Sequence, residues 1–430
     1  MQEVFYHIYP LGFCGAPEHN DGKLEHRILH MLDWLDHIEK LGVTALYLGP
    51  VFESDRHGYD TRDYNMVDTR LGTKEDLQKV LTAYKERGIK IILDGVFNHA
   101  GRGCPFFQDV IKYREQSQYK DWFYIDFNNR DNPDGFSYAN WEGHAELVKW
   151  NLDNPAVKNY LLSAVDGWIN DYQIDGIRLD VAYTLNQNFL ADLNHFCKQK
   201  NPDFFLLGEM IGGDYNYLLN DGLCDSVTNY ECRKGIYSAL NSKNLFEIAH
   251  SLQRQFGSDP WSLYTDKKLY SFIDNHDVDR IASIINDQRD LPLVYSLIFA
   301  MPGIPAVYYG SEWGALGQKI NHSDAGLRPY FSKPEWNDLT DLIAKLAKIH
   351  QEYDVLYTGD YQQLYLTNEQ FAFSRNSGDE QLIYCMNIAD QPVQMQFDTH
   401  KTTAQDLISG ELIDLSNGVE LKAKTALILV

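Results

Sequence analysis

Short apolar runs and amphipathic stretches alternate along the first 350 residues of this chain. Runs at 4–9, 45–48 and 89–97 have the length and the branched or aromatic content of buried strands. The stretches between them, 24–41 and 74–87, repeat their apolar residues at helical spacing. The alternation stops near residue 100 and resumes after 153. There the pattern predicts a helix at 156–172, a strand at 176–181, a helix at 187–199, a strand at 204–209 and a weaker strand at 225–228. A helix at 245–255, a strand at 269–274, a helical region at 278–299, a strand at 306–309 and a last helix at 334–350 complete the series. Eight strands alternating with helices predict an α/β fold of the closed (β/α)8 TIM-barrel type in preference to an open sheet.

The interruption is polar, aromatic and rich in Asn, Asp and Gly, and a segment of that length is a subdomain or a functional loop. It follows a strand, so in a barrel it rises from the C-terminal face and walls a cleft there. After 354 the pattern turns to period-two segments at 370–375, 381–388 and 393–397, parted by turn signals such as Asn376-Ser377-Gly378-Asp379 and Ser416-Asn417-Gly418. The expected division is therefore a catalytic barrel from 1–99 and 154–353, an inserted subdomain B at 100–153 after strand 3, and a C-terminal antiparallel β-sandwich domain at 354–430.

Composition narrows the partners. Lys plus Arg number 38 against 61 Asp plus Glu, a net charge of −23 that repels phosphate backbones and anionic lipid. No nucleic-acid partner and no membrane association are expected, and no run of 18 apolar residues exists. Residues 1–10 carry no basic segment followed by an apolar run, so no signal peptide is visible. The six cysteines are scattered, without zinc-site spacing, which fits a reduced, cytoplasmic protein.

Candidate chemistry sits at the strand ends. Ile91-Ile92-Leu93 runs into Asp94-Gly95-Val96-Phe97-Asn98-His99. Arg178 and Asp180 share one face of a strand at an i, i+2 spacing. Leu206-Leu207-Gly208 delivers Glu209, and Phe272-Ile273 leads into Asp274-Asn275-His276-Asp277. Taken singly, Arg178 beside Asp180 reads as a structural ion pair, and a lone strand-terminal acid reads as a helix cap. Parallel strands share a direction, however, so a barrel gathers Asp180, Glu209 and Asp277 at one face. Carboxylates in different environments suit glycoside hydrolysis: one ionised and able to attack, one protonated and able to release the leaving oxygen. Arg178 favours the ionised form of Asp180, and the apolar neighbours of Glu209 favour its protonated form.

At these four stretches the chain resembles the α-amylase family, glycoside hydrolase family 13. Supporting matches run from Gly42 to Val51, through His57 to Tyr64, to Pro302 to Gly310. The resemblance implies that Asp180 is the nucleophile, Glu209 the general acid/base and Asp277 the residue that grips sugar hydroxyls in the transition state. It also implies that Arg178, His99 and His276 line the same subsite, that Tyr59 stacks on a sugar ring, and that Asp324 and Arg328 contact the glycone further along. Within the family, Pro105 to Val110, Gln116 to Phe123 and Leu147 to Asn151 are similar to the neopullulanase and cyclomaltodextrinase group, although the chain starts directly at barrel strand one, without that group's N-terminal domain. Met210-Ile211-Gly212-Gly213 departs from the group, which carries a tryptophan two residues after the acid. Asn98 matches a calcium-binding residue of many amylases, but Tyr183 and Thr184 stand where those enzymes have Lys and His. A hard cation needs several oxygen ligands, so no metal and no cofactor is expected. The implied activity is a retaining α-glucan hydrolase acting on α-1,4 bonds of maltooligosaccharides. A transglycosylase or isomerase of sucrose, trehalose or dextrins shares the same residues, and a non-catalytic barrel protein is the remaining alternative.

Overall fold

The computed structural model describes residues 3–129, 133–321, 323–399 and 401–430. Its centre is a parallel sheet of eight strands: Phe5–Ile8 (β1), Ala45–Leu48 (β2), Lys90–Gly95 (β3), Gly176–Leu179 (β4), Phe205–Gly208 (β5), Ser226–Val227 (β6), Tyr270–Ser271 (β7) and Ile304–Tyr308 (β8). The order is β6-β5-β4-β3-β2-β1-β8-β7, and a parallel bridge between Thr228 and Tyr270 joins the two ends into a barrel. Phe5, Tyr47, Ile92, Phe205, Leu207 and Tyr270 fill the interior. Alternate residues such as Tyr6, Ile91, Ile177 and Leu206 pack outward under the helices, which is why these strands read as continuous apolar runs.

Register carries this order to the site. On β4, Arg178 stands level with Asp94 of β3 and Leu207 of β5, on the inward face. Gly176 lies two residues below it, where a Cβ would meet the Phe205 carbonyl at 2.5 Å. Helices Lys74–Glu86, Pro155–Tyr172 and Gln187–Lys200 are started by side-chain caps from Thr73, Asn154 and Asn186, each satisfying orphan N–H groups of the first turn.

Several predicted elements differ in form. The helical stretch 24–41 is a 3-10 helix, Arg27–Trp34, continued by the α-helix Leu35–Lys40. Its buried residues Ile28, Met31 and Trp34 recur every third position, the period of a 3-10 turn. The region 278–299 breaks into Ile281–Ile284 and Leu291–Ala300. The break lies at 285–287, where Ile285 and Asp287 are extended. A 3-10 turn, Gln288–Asp290, then leads into the second helix, whose first turn tolerates Pro292 because no N–H is needed there. A helix at Tyr230–Ser242, capped by Asn229, and a hairpin of Phe52–Ser54 with Thr61–Val67 escaped the pattern.

After β3 the chain enters an inserted unit. His99–Gly101, His144–Lys149 and Asn140–Trp141 form a three-stranded antiparallel sheet. Beyond the barrel, Gln362–Leu366 (β9), Gln370–Ser377 (β10), Glu380–Asn387 (β11) and Thr425–Leu429 (β12) form an antiparallel sheet in the order β9-β10-β11-β12. Two short antiparallel pairs flank it. Buried Arg375 ties this domain to the barrel by donating to the Ala300 carbonyl at 3.0 Å. Among the described residues, no helix is long and apolar enough to cross a membrane.

Candidate active site

The site is built on one buried cation. Arg178, 3% exposed, reaches three carboxylates at the C-terminal end of the barrel. Its Nη1 donates to Asp94 Oδ1 (2.9 Å) and Asp180 Oδ1 (3.0 Å), and its Nη2 pairs with Glu209 Oε1 (2.8 Å). Asp94 also accepts from the hydroxyls of Tyr47 (2.8 Å) and Tyr59 (3.0 Å). Glu209 Oε2 accepts the Val181 N–H at 2.9 Å. Val181 has φ +41°, a left-handed conformation that a β-branched residue rarely adopts. That turn aims its N–H at Glu209, and strain of this kind concentrates at functional sites.

Three acids around one guanidinium cannot all be ionised cheaply. Burial, with the charges of Glu209 and Asp94, pushes Asp180 well above the usual carboxylate range in spite of Arg178. Burial likewise raises Glu209, against Arg178 and the Val181 N–H. Both acids therefore take up a proton more readily than they would in water. Arg178 acts on Asp180 in the expected direction, and it is also shared with Asp94 and Glu209, because β3, β4 and β5 deliver their acids to the same guanidinium. Alternation turns Leu206 outward, whereas Leu207 faces the barrel interior on the same side as Glu209. Burial raises Glu209 in the expected direction, while its carboxylate also meets Arg178 and the Val181 N–H.

A second group lies beside the first. Asp277 pairs with Arg328 Nη2 (2.9 Å) and His276 Nε2 (2.9 Å). Burial acts to raise Asp277, but His276 and Arg328 outweigh it and hold the carboxyl well below its ordinary range. Arg328 also holds Asp324 (3.1 Å) and donates from Nε to the His276 carbonyl (3.0 Å). His99 donates from Nε2 to the Tyr59 carbonyl (3.1 Å), its Nδ1 faces the Asn98 amide (3.1 Å), and Nε2 lies 3.9 Å from Asp180. Burial pushes His99 down to about 3, so it is neutral. The His276 ring lies parallel to Tyr59, with centroids 5.3 Å apart, and its Nε2 meets the Tyr59 hydroxyl.

A cavity of about 830 Å³ opens over these groups. Tyr59, His99, Asp180, Glu209, Asp277, Asp324 and Arg328 line it. Arg178 and His276 sit behind the lining and support it. Sequence reasoning missed Val181, Trp141, Tyr230 and Lys319 among the lining residues, and it named Asp94 only as part of a motif. A strand-end acid level with Arg178 was the available signal for Asp94; nothing local marks the others. Among the described residues, no cluster of three or more His, Cys, Asp or Glu is arranged to hold a metal.

Acids from separate barrel strands converging on one buried cation beneath an open cavity define a barrel glycoside hydrolase. The chain belongs to the α-amylase family: the α-amylase catalytic domain matches residues 7–342, and the cyclo-malto-dextrinase C-terminal domain matches residues 365–430. It is 32% identical over 415 residues to a cyclomaltodextrinase of Bacillus sp, covering 89% of this chain and 72% of that protein. It is 30% identical over 367 residues to the intracellular maltogenic amylase of Bacillus subtilis (strain 168), covering 83% and 61%. Among solved structures, a cyclic alpha-maltosyl-(1→6)-maltose hydrolase from Arthrobacter globiformis superposes with a TM-score of 0.84 at 27% identity, covering 100% of this chain and 98% of that one.

Proposed function

We propose that the protein is a retaining α-glucan hydrolase that cleaves α-1,4-glucosidic bonds of maltooligosaccharides or dextrins. The observation that carries this reading is the single guanidinium bridging Asp180 and Glu209 on the cavity floor. One guanidinium between two carboxylates suits the roughly 5 Å separation of a retaining pair better than the wider gap that an inverting enzyme needs for its water. The names of the relatives, which are hydrolases of maltose-containing glucans, support the substrate class.

In this reading Asp180 attacks the anomeric carbon while Glu209 gives its proton to the departing glycosidic oxygen. A glycosyl ester on Asp180 and a free sugar result. Water then attacks the same carbon, Glu209 takes the water's proton, and Asp180 leaves as carboxylate. With Asp180 as the attacking carboxylate, Glu209 is the member of the pair that must carry the proton in this reading. Asp277, held ionised by His276 and Arg328, accepts hydrogen bonds from sugar hydroxyls next to the reacting centre. His99, neutral and with its Nε2–H on the Tyr59 carbonyl, lines the same subsite beside Asp180. Arg178 and His276 act through the residues they hold, and Asp324 and Arg328 meet the glycone further out.

We further assign residues 1–99 and 154–353 to the catalytic barrel, 100–153 to subdomain B and 354–430 to the C-terminal domain. A cytoplasmic location fits six buried, unpaired cysteines and the name of the intracellular Bacillus relative. Incubation with maltohexaose, a cyclodextrin, pullulan, sucrose and trehalose tests the function. Maltooligosaccharide products released as the α-anomer are expected. A first-formed β-anomer refutes retention, and isomerised or lengthened sugars in place of hydrolysis products refute the hydrolase reading.

A further inference from the structure

We propose that the Glu18–Arg56 pair forms an end wall of the cavity, so that the site accepts the non-reducing end of an α-glucan and excludes the interior of a longer chain. This rests on the α-glucan reading above and adds the direction and mode of attack to it.

The orientation of a bound chain follows from the acid. Glu209 protonates the leaving oxygen, so the leaving sugar lies on its side of the cavity, by Ile211 and Tyr230. The glycone must extend the other way, toward Arg328 and Asp324. Arg328 lies over the Tyr9 ring at 4.5 Å and is packed against Gly12, where a Cβ would meet its carbonyl oxygen at 2.1 Å. Tyr9 in turn donates its hydroxyl to the His57 carbonyl at 2.6 Å. The two segments that border the glycone side are therefore 12–18 and 56–57, and Ala16, Pro17, Glu18, Arg56 and His57 all line the cavity.

These two segments are clamped together from below. Arg70 is fully buried and pairs twice with Asp68, through Nε (2.8 Å) and Nη2 (2.7 Å). Its Nη1 donates to three backbone carbonyls: Pro17 (3.0 Å), Glu18 (2.9 Å) and Arg56 (2.6 Å). One guanidinium thus fixes both backbones at the point where their side chains rise. Above it, Arg56 Nη2 meets Glu18 Oε1 at 2.6 Å. The side chains are 45% and 64% exposed, so the ion pair contributes little to stability by itself. Its position comes from the clamp, and its exposure leaves donors and acceptors free. Lys319, which also lines the cavity, is pinned by its own N–H to Asp279 (2.7 Å) and reaches Asp324 with Nζ (3.0 Å). A terminal sugar offers free hydroxyls that both donate and accept, which a carboxylate and a guanidinium together satisfy. A chain continuing past that sugar meets the wall.

The test compares maltoheptaose with the same chain capped by an ethylidene group on its non-reducing sugar, following disappearance of each by chromatography. The protein is expected to consume the free chain at least about 50-fold faster, and Glu18→Ala/Arg56→Ala is expected to narrow that ratio about tenfold or more. Glu18→Ala alone, which leaves both backbones on the Arg70 clamp, serves if the double variant does not fold. Equal rates on the two chains, or an unchanged ratio in a folded variant, overturn the proposal. Consumption of neither chain overturns the α-glucan reading, and the wall's assignment with it.

Discussion

Replacing Arg178 by lysine keeps the charge and removes the fork. Arg178 serves three carboxylates through two nitrogens: Nη1 reaches Asp94 and Asp180, and Nη2 reaches Glu209. An ammonium is a point donor on a flexible stem and cannot span that spread. At least one charge-assisted hydrogen bond is lost, and such a bond is worth about 1.5–3 kcal/mol. All three acids are buried, so the abandoned one keeps its desolvation cost. Unfolding free energy should fall by about 2–3 kcal/mol, measured by urea titration beside the parent protein. Glu209 stands alone on Nη2 and is the partner most easily abandoned. Losing a neighbour that lowers its pKa, Glu209 holds its proton to higher pH. The alkaline limb of the kcat–pH profile should then move up. A variant within about 0.5 kcal/mol of the parent with an unmoved alkaline limb would refute the shared-cation argument.

Other substitutions probe the same floor. Asp180→Asn should lower kcat on the order of 10⁴-fold or more while leaving the circular dichroism spectrum unchanged, because a nucleophile is lost and a buried shape is kept. Glu209→Gln still accepts the Val181 N–H but gives no proton. It should cost about 10²–10⁴-fold on maltooligosaccharides and far less on a glycosyl fluoride, whose leaving group needs no acid. His99 has a folded pKa of about 3, below its unfolded value, so between the two the unfolded chain binds the extra proton and stability falls as pH falls. The slope should be about 1.4 kcal/mol per pH unit, and His99→Gln should flatten it in pH-dependent urea melts. Asp277 has the opposite origin with the same direction: its folded pKa is depressed, so its stabilisation is present above about pH 3.9 and is lost in more acid solution. Asp277→Asn should remove that acid-side loss.

Much of the barrel was legible because strand periodicity and helix capping are local. Lys74–Glu86 and Gln187–Lys200 lie close to the predicted stretches, since Thr73 and Asn186 mark their starts. The 3-10 geometry of Arg27–Trp34 was hidden, because Ile28, Met31 and Trp34 also satisfy a loose helical pattern. Helix Tyr230–Ser242 was missed although Asn229 caps it: with Cys232, Ile236, Ala239 and Leu240 as its apolar face, the stripe is thin and interrupted by Arg233 and Gly235. At the site, Asp180 and Glu209 were visible because each directly follows a barrel strand, whereas Asp277 lies six residues beyond β7 and was visible only through the run Asp274 to Asp277.

The sequence by itself determined which strands carry acids and that parallel strands would bring those acids to one face. It also determined that Arg178 and Asp180 share a side of β4, since alternation is a property of the strand alone. Only the tertiary structure decided what Arg178 does there. The register of β4 against β3, and the turn at Val181 toward Glu209, set one guanidinium among three carboxylates, and no local pattern encodes a contact between residues 84 positions apart. The same holds for the glycone side of the cavity. Arg70 clamps segments 53 and 14 residues distant, and the wall they raise exists only once the chain has closed on itself.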